Sequence, residues 1–191
     1  MRDATLPVAC PRYPEHMKQI VLDIETTGLY AESGDRIVEI ACLELIDGRR
    51  TANSYYARIN PECPVSEGAA IVHGMTWDSL QHEPVFAAIA TSLYDFIAGS
   101  ELIMQNAPFR LSFLDAEFTR LGMPPLAKLC VLTDSLLLAR TLHPGEKCNL
   151  DALYSRYGLI DVERVAPEIV RDLERLADVY LAMVRCQIPN R

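Results

Sequence analysis

The chain has 191 residues, of which 50% are hydrophobic and 23% are charged, and this balance excludes an intrinsically disordered protein. Its formal net charge is −8, from 18 basic and 26 acidic residues. Proteins that grip duplex DNA through many phosphate contacts are usually basic. The charge therefore disfavours a high-affinity duplex-binding module, whereas an acidic metal-dependent enzyme is compatible with it.

The length predicts one domain that is large enough to bury a core. Residues 1–18 carry three prolines and mixed charges, which predicts an irregular lead-in and no signal peptide, and residues 19–187 are predicted to form a single domain. No run approaches the roughly 18 to 20 apolar residues that a membrane span needs, so we expect no membrane association. The six cysteines are scattered without a C-x-x-C pair, which favours reduced thiols in a cytoplasmic protein.

The first third of the chain is predicted to consist of β-strands. Apolar and β-branched runs cover residues 19–26, 36–45 and 51–60, and Asp47-Gly48 supplies a turn between the last two. The pattern changes after residue 64. From Pro84 the apolar spacing becomes helical and continues until the glycine at position 99.

The remainder of the chain alternates between short apolar runs and helical patterns. Strands are predicted over 101–104 and 129–132, and helices over 108–121, 134–142, 150–157 and 168–186. Strands followed by alternating helix and strand indicate an α/β protein with a mixed central sheet flanked by helices.

Two acidic residues, Asp23 and Glu25, stand at the end of the first predicted strand. Residues at i and i+2 of a strand point to the same face, so the two carboxylates project together. Oxygen-rich clusters of this kind suit Mg²⁺ or Mn²⁺. The alternative is a solvated strand end with two unrelated acids. Asp172 borders the apolar stripe of the last helix and is a further candidate ligand, unless it is a boundary acid paired with Arg171 or Arg175.

Ordered motifs identify a family resemblance over nearly the whole chain. They are QIVLDIETTG (19–28), RIVEI (36–40), VHGM (72–75), QNAPF (105–109), FLDAEF (113–118), TDSLLLAR (133–140), PGEKCNLDAL (144–153), RYG (156–158) and LADVYLAM (176–183). The chain resembles the DnaQ-like exonucleases, and most closely the proofreading epsilon type. The resemblance implies a ribonuclease-H-like fold and 3′→5′ hydrolysis of single-stranded DNA ends with two Mg²⁺ ions.

The same resemblance implies a site of four acidic residues and one histidine. Asp23, Glu25 and Asp172 match the first, second and last acids, and all three are implied metal ligands. The third acid is replaced by Arg110, and the histidine five residues before the last acid is replaced by Pro167. Three of the five site positions therefore match the family pattern.

The two replacements act differently on the implied chemistry. Arg110 introduces a permanent positive charge that repels a metal ion. We expect its guanidinium to bridge Asp23 and Asp172 in place of the metal; the alternative is that it turns to solvent and leaves the site open. Pro167 has no titratable group and so removes the general base. Glu168 lies four residues before Asp172 and is a candidate substitute base or ligand, although a helix-dipole role is the simpler interpretation.

Five further residues border the implied site. The TTG turn (Thr26, Thr27 and Gly28), His73 and Asn106 are candidate contacts for a bound strand, with turn, packing or helix-entry roles as the structural alternatives. Asp134 and Asp151 are expected at helix starts, where aspartate caps backbone N–H groups.

Two functions from different classes follow. The first is a degenerate exonuclease-like domain, silent or severely impaired, that binds single-stranded DNA 3′ ends, nucleotides or a DNA polymerase partner. The rival is an active 3′→5′ DNA exonuclease with Glu168 recruited; a ribonuclease specificity is a third branch. The sequence shows no recognisable polymerase-docking tail, and residues 187–189 do not form a convincing clamp-binding motif.

Overall fold

A five-stranded mixed sheet with the strand order β3-β2-β1-β4-β5 forms the centre of the protein. The computed structural model describes residues 18–161 and 165–186. The strands are β1 (Lys18–Thr26), β2 (Ile37–Ile46), β3 (Arg49–Arg58), β4 (Glu101–Met104) and β5 (Val131–Asp134). The α-helices are α1 (Glu67–His73), α2 (Trp77–Leu80), α3 (Phe86–Ile97), α4 (Ala107–Arg120), α5 (Ser135–Leu142), α6 (Leu150–Arg156) and α7 (Glu168–Cys186). The predicted α/β class with a mixed central sheet is confirmed.

Strand β1 is central and has neighbours of both orientations. It pairs antiparallel with β2, in a register that sets Asp23 opposite Ala41 and Glu25 opposite Glu39. It pairs parallel with β4, and β4 pairs parallel with β5. The register between β1 and β2 shifts at Glu25/Thr26, so regular pairing ends where the acidic residues lie.

The alternation of β1 decides which face carries the acidic residues. Its even-numbered residues, Ile20, Leu22 and Ile24, belong to a buried cluster with α3 and α4. Val21 belongs to a second cluster, which includes Leu173 and the rest of the buried stripe of α7. Because side chains two residues apart share a face, Asp23 and Glu25 continue the Val21 row on the α7 side of the sheet.

Helix α7 packs on this face through the predicted apolar stripe. The buried residues of the stripe are Ile169, Leu173, Leu176, Ala177 and Tyr180. This spacing of three and four residues fixes the rotation of the helix about its axis. Asp172, next to Leu173, is therefore held at the border of the stripe and close to the end of β1.

Several predicted boundaries differ from the structure. The fifth strand starts two residues later than predicted, because the N–H groups of Leu129 and Cys130 bond back to Leu126 and close a 3₁₀ turn. Helices α1 and α2 fall in a stretch for which no separate helix was predicted. The predicted lead-in, apart from Lys18 in β1, and the residues compared with a clamp motif lie outside the described residues. No helix among residues 18–161 and 165–186 is long and apolar enough to cross a membrane.

Candidate active site

The first acid of the site, Asp23, is mostly buried and forms an ion pair with Arg110. The Nε and Nη2 atoms of Arg110 lie 2.6 and 2.5 Å from Asp23 Oδ1. The same oxygen accepts the backbone N–H of Ile24 at 2.7 Å. The two paired side chains are only 15% and 14% exposed. The guanidinium therefore points into the site, and the alternative in which it turns to solvent is not what the structure shows.

The start of α4 positions this arginine. Asn106 precedes the helix with φ 58° and ψ 58°, a left-handed conformation that asparagine tolerates better than most residues. Its backbone N–H donates to the Asp134 carboxylate at 3.1 Å. Arg110 then follows in the first turn, where its Nη1 also donates to the carbonyl of Gln105. The guanidinium is thus held by a side chain and by the helix entry.

The last acid, Asp172, has a different cation. Arg175, one turn along α7, lies 3.5 Å from its Oδ1 through Nη1. Arg175 also contacts Asp151 at 2.7 Å and Asp161 at 3.3 Å, and it stacks 4.7 Å from the centre of the Tyr154 ring. The expected Arg110 bridge between Asp23 and Asp172 is therefore only half right. A residue at i+3 on the same helix reaches Asp172 without crossing the cleft, and Arg110 pairs with Asp23.

The site carries more negative charge than these two arginines neutralise. Burial raises the pKa of Asp23, and the Arg110 charge only opposes this increase. Burial, together with the charges of Asp23 and Glu39, raises the pKa of Glu25 to about 7. Burial also raises the pKa of Asp172, against the lowering effect of Arg175. The three carboxyl groups therefore favour uptake of a proton or a cation.

Sequence reasoning did not single out Glu39 as a site residue. It is buried on β2 beside Glu25, and it accepts hydrogen bonds from Tyr56 at 2.6 Å and Arg58 at 3.2 Å. Its signal was the match to the RIVEI motif, but the antiparallel register that brings it beside Glu25 appears only in the fold. Glu39 adds a second negative neighbour to Glu25.

The described residues do not fit a two-metal centre. Within 18–161 and 165–186, no three His, Cys, Asp or Glu side chains are grouped so that they could hold a metal ion. The predicted ligands Asp23, Glu25 and Asp172 are brought to one end of the sheet, but Arg110 lies against the Asp23 oxygen. A guanidinium at hydrogen-bond distance fills the space that a divalent ion would require and neutralises the carboxylate that would bind it. No hydrolytic step through a metal is therefore assigned.

Pro167 and Glu168, the proline implied to replace the general base and the candidate substitute, lie at the start of α7. Pro167 is exposed, and its carbonyl accepts the N–H groups of Val170 and Arg171, so it opens the helix. Glu168 is the first residue of α7 and is also exposed. Its charge contributes to the raised pKa of Asp172, which indicates that the two are near each other. Its proposed role as base or ligand stays a prediction.

The TTG turn is closed by its own hydrogen bonds. The Thr26 hydroxyl donates to the carbonyl of Gly28 at 2.6 Å, and the Thr27 hydroxyl donates to Asp35 at 3.0 Å. The Nδ1 atom of His73 accepts the N–H of Met75, so its Nε2–H donates to the carbonyl of Thr26 at 3.2 Å. His73 thus fastens the end of α1 to the end of β1, which agrees with a turn and packing role.

The two helix-start aspartates have separate roles. Asp134 caps α5 as expected, because its side chain accepts the N–H groups of Leu136 and Leu137. Asp151 lies in the first turn of α6, but the helix is capped by Asn149. Asp151 instead pairs with Arg175. Asp134 thus also holds the entry to α4 through Asn106, and Asp151 is connected to Asp172 through Arg175.

Comparison with known proteins places the chain in a family. The exonuclease family model (RNase T) matches residues 20–164. The chain is 40% identical over 171 residues to DNA polymerase III subunit epsilon of Pasteurella multocida, a match that covers 87% of this chain and 68% of the relative. It is 38% identical over 172 residues to the same subunit of Escherichia coli K12, with 87% and 71% coverage. The chain belongs to the DnaQ-like exonuclease family. Its similarity to the epsilon subunits confirms the resemblance seen in the motifs.

Solved structures support the fold of this DnaQ-like protein. A structure of exonuclease X in complex with 5′ overhanging duplex DNA aligns with a TM-score of 0.72 at 23% identity and covers 88% of this chain and 92% of that one. The zinc-ion-bound form of an E. coli exonuclease I–single-stranded DNA complex aligns with a TM-score of 0.72 at 16% identity, over 90% and 41% of the two chains. These neighbours confirm the predicted ribonuclease-H-like exonuclease fold. At such identities they carry no further argument.

Proposed function

We propose that this DnaQ-like domain keeps the epsilon-type scaffold but has a silenced or severely impaired hydrolytic site, and that it acts by binding single-stranded DNA 3′ ends. The observation that carries the proposal is the ion pair between Arg110 and Asp23. In this reading Arg110 neutralises the carboxylate that a metal ion would otherwise neutralise.

Simple electrostatics supports a large loss of metal affinity. A guanidinium about 5 Å from a divalent ion, at an effective dielectric constant of about 20, gives a repulsion of about 6 kcal/mol. Solvent and side-chain motion reduce this value severalfold, but about 3 kcal/mol still corresponds to more than a hundredfold in affinity. Arg175 further engages Asp172. Two of the three remaining acids therefore already have a cation.

The missing general base supports the same proposal. A positioned base contributes about 10²- to 10⁴-fold to a hydrolytic rate. Pro167 cannot accept a proton, and the exposed Glu168 is not held by any hydrogen bond among the described residues. Loss of the base and loss of the metal weaken different parts of the reaction, so their effects combine.

A polymerase partner is proposed from the relatives alone. The relatives with about 40% identity are named as the epsilon subunit of DNA polymerase III. We propose that this domain has a replicative polymerase partner of the same kind. Size-exclusion chromatography of the chain mixed with the polymerase subunit of its own organism tests this, and separate elution at micromolar concentrations would contradict it.

The test of the silenced site is Mn²⁺-dependent digestion of a 3′-labelled single-stranded oligonucleotide. The natural chain is compared with the double variant Arg110→Asp/Pro167→His, and with the same double variant carrying Asp23→Asn. We expect digestion only by the double variant, with the Asp23→Asn change abolishing it. Arg49→Asp, on the far edge strand, controls for the change in net charge.

A binding measurement completes this test. Fluorescence anisotropy of the same oligonucleotide in EDTA should show binding by the natural chain, and a strand blocked at its 3′ end by a bulky group should bind more weakly. Digestion by the natural chain at the rate of the double variant would show that the site is not silenced and would point to Glu168. Absence of binding would contradict the retained role.

A further inference from the structure

A pocket of about 400 Å³ with a mixed polar and apolar lining lies beside the candidate active site, between the start of α4 and the segment that joins α5 to α6. Arg110 and Arg140 line it together with three residues that have amide side chains, Gln105, Asn106 and Asn149. The volume falls within the range of small-ligand sites in proteins. The pocket therefore has both the size and the donors of a ligand site.

Two arginines and one glutamate line the pocket, and Arg140 is the arginine whose charge no carboxylate neutralises among the described residues. Arg140 is exposed, and no described residue forms an ion pair with it. Arg110 shares its charge with Asp23 but uses only part of its five N–H donors there and on the Gln105 carbonyl. Glu146, the one acid among the described residues that line the pocket, is paired with Arg156 at 3.5 Å. A field of this sign attracts small anions.

The amides add directional donors. The Asn149 side chain caps α6 through Oδ1, which accepts the N–H of Ala152. Its NH₂ group is a donor, and it has no acceptor among the described residues. The Asn106 side chain makes no capping bond and is exposed at the pocket. Guanidinium forks with amide N–H groups are typical partners of phosphate oxygens.

We propose that this pocket binds a phosphate monoester, with Arg140 as the principal ligand and Arg110 as the link to the acidic site. The sources of such a group are a free nucleoside monophosphate or the phosphorylated end of a strand. The proposal goes beyond the silenced exonuclease site, because phosphate binding here requires no metal and no hydrolysis. Arg110 would then serve two anions, Asp23 on one side and the phosphate on the other.

The test is isothermal titration calorimetry in EDTA with three probes: inorganic phosphate, thymidine 5′-monophosphate, and a tetranucleotide with a 5′-terminal phosphate. Arg140→Gln should weaken phosphate and nucleotide binding about tenfold, the usual effect of losing a hydrogen bond to a charged group. Arg49→Gln is the matched control and should leave affinity unchanged. Glu146→Gln should tighten binding, since it removes a carboxylate that lines the pocket.

The outcomes separate the two sources from failure of the proposal. If Arg140→Gln weakens the binding of the mononucleotide and inorganic phosphate only, the ligand is a free nucleotide. If it weakens the binding of the tetranucleotide equally, phosphorylated strand ends also bind. Equal affinities of Arg140→Gln and the natural chain, or equal losses of affinity in Arg140→Gln and Arg49→Gln, would overturn the proposal that this pocket binds phosphate. Because the digestion assay uses neither Arg140 nor Glu146, failure here leaves the proposed function intact.

Discussion

Replacing Arg110 by methionine tests the central ion pair directly. Methionine keeps an unbranched side chain and a good helix propensity, but it cannot donate to Asp23. Breaking a fully buried ion pair by removing one partner costs about 3 to 5 kcal/mol. Both side chains here are about 15% exposed. Because water reaches this pair, we expect Arg110→Met to lower the free energy of unfolding by about 2 to 3 kcal/mol at pH 8.

The cost should depend on pH with a definite sign. The pKa of Asp23 is already raised in the folded protein. A carboxyl group whose folded pKa exceeds its unfolded value destabilises the fold above the unfolded pKa and not below it. Without Arg110 this pKa rises further. The loss should therefore be greatest at pH 8 and shrink as the pH falls toward 4, because the carboxyl group of the folded protein then takes up a proton and no longer needs a cation.

Urea unfolding followed by circular dichroism measures the cost in both Asp23 and Asp23→Asn backgrounds. In the Asn background the charge to be neutralised is gone, so Arg110→Met should cost less than about 1 kcal/mol. Millimolar Mn²⁺ should stabilise the single variant more than the natural chain, since a ligand stabilises only the state that binds it. Equal costs in the two backgrounds, or a cost that does not change with pH, would refute the ion-pair reasoning.

Three further predictions concern neighbouring parts of the site. Glu25→Gln should stabilise the protein by about 1 to 2 kcal/mol at pH 8, after screening by solvent, and should have little effect at pH 4. The folded pKa of Glu25 is about 7 and exceeds the ordinary value of 4.5, so Glu25 lowers the stability of the natural chain as the pH rises between these values. Urea melts of both proteins at pH 8 and pH 4 check this. Gly28→Ala should cost about 1 to 3 kcal/mol, because a Cβ there would overlap the Asp35 carboxylate, whereas Gly68→Ala, which meets open space, should not lower the melting temperature. Arg175→Met should cost about 1 to 2 kcal/mol by thermal melting, and retention of full stability would show that its acidic partners are solvated without it.

The sequence was sufficient to predict the placement of those site residues whose geometry follows from strand or helix periodicity. The alternation of β1 put Asp23 and Glu25 on one face, and the stripe of α7 put Asp172 at its edge. Both follow from side-chain periods that the fold preserves. The same logic could not find α1 and α2, which have seven and four residues. Helix α1 buries none of its residues, so it has no apolar stripe to detect, and its N-cap Ser66 is the local signal that remains.

Pairing across the site was not predictable in the same way. Arg110 and Asp23 are 87 residues apart in sequence, and the sequence led us to expect Arg110 between Asp23 and Asp172 but could not tell which of the two it contacts. The acid with which Arg110 pairs depends on the conformation of Asn106 at the start of α4 and on the contact that Arg175 already makes with Asp172. Such competition is a property of three-dimensional distances, and it is the reason that the expected bridge is half right.

Under the proposed function two arginines stand in for metal ions, and the charge balance of the site explains why they would do so only in part. A divalent ion can be shared by several carboxylates at once, whereas each guanidinium here serves its nearest acid. Among the described residues no cation forms an ion pair with Glu25, which instead faces Asp23 and Glu39. Because the pKa of Glu25 is about 7, a proton can supply part of the missing positive charge near neutral pH. Removing Arg110 alone should therefore leave the site with a deficit of positive charge that a metal ion or protons must supply. For the same reason we expect the Arg110→Asp/Pro167→His variant to bind a divalent metal ion.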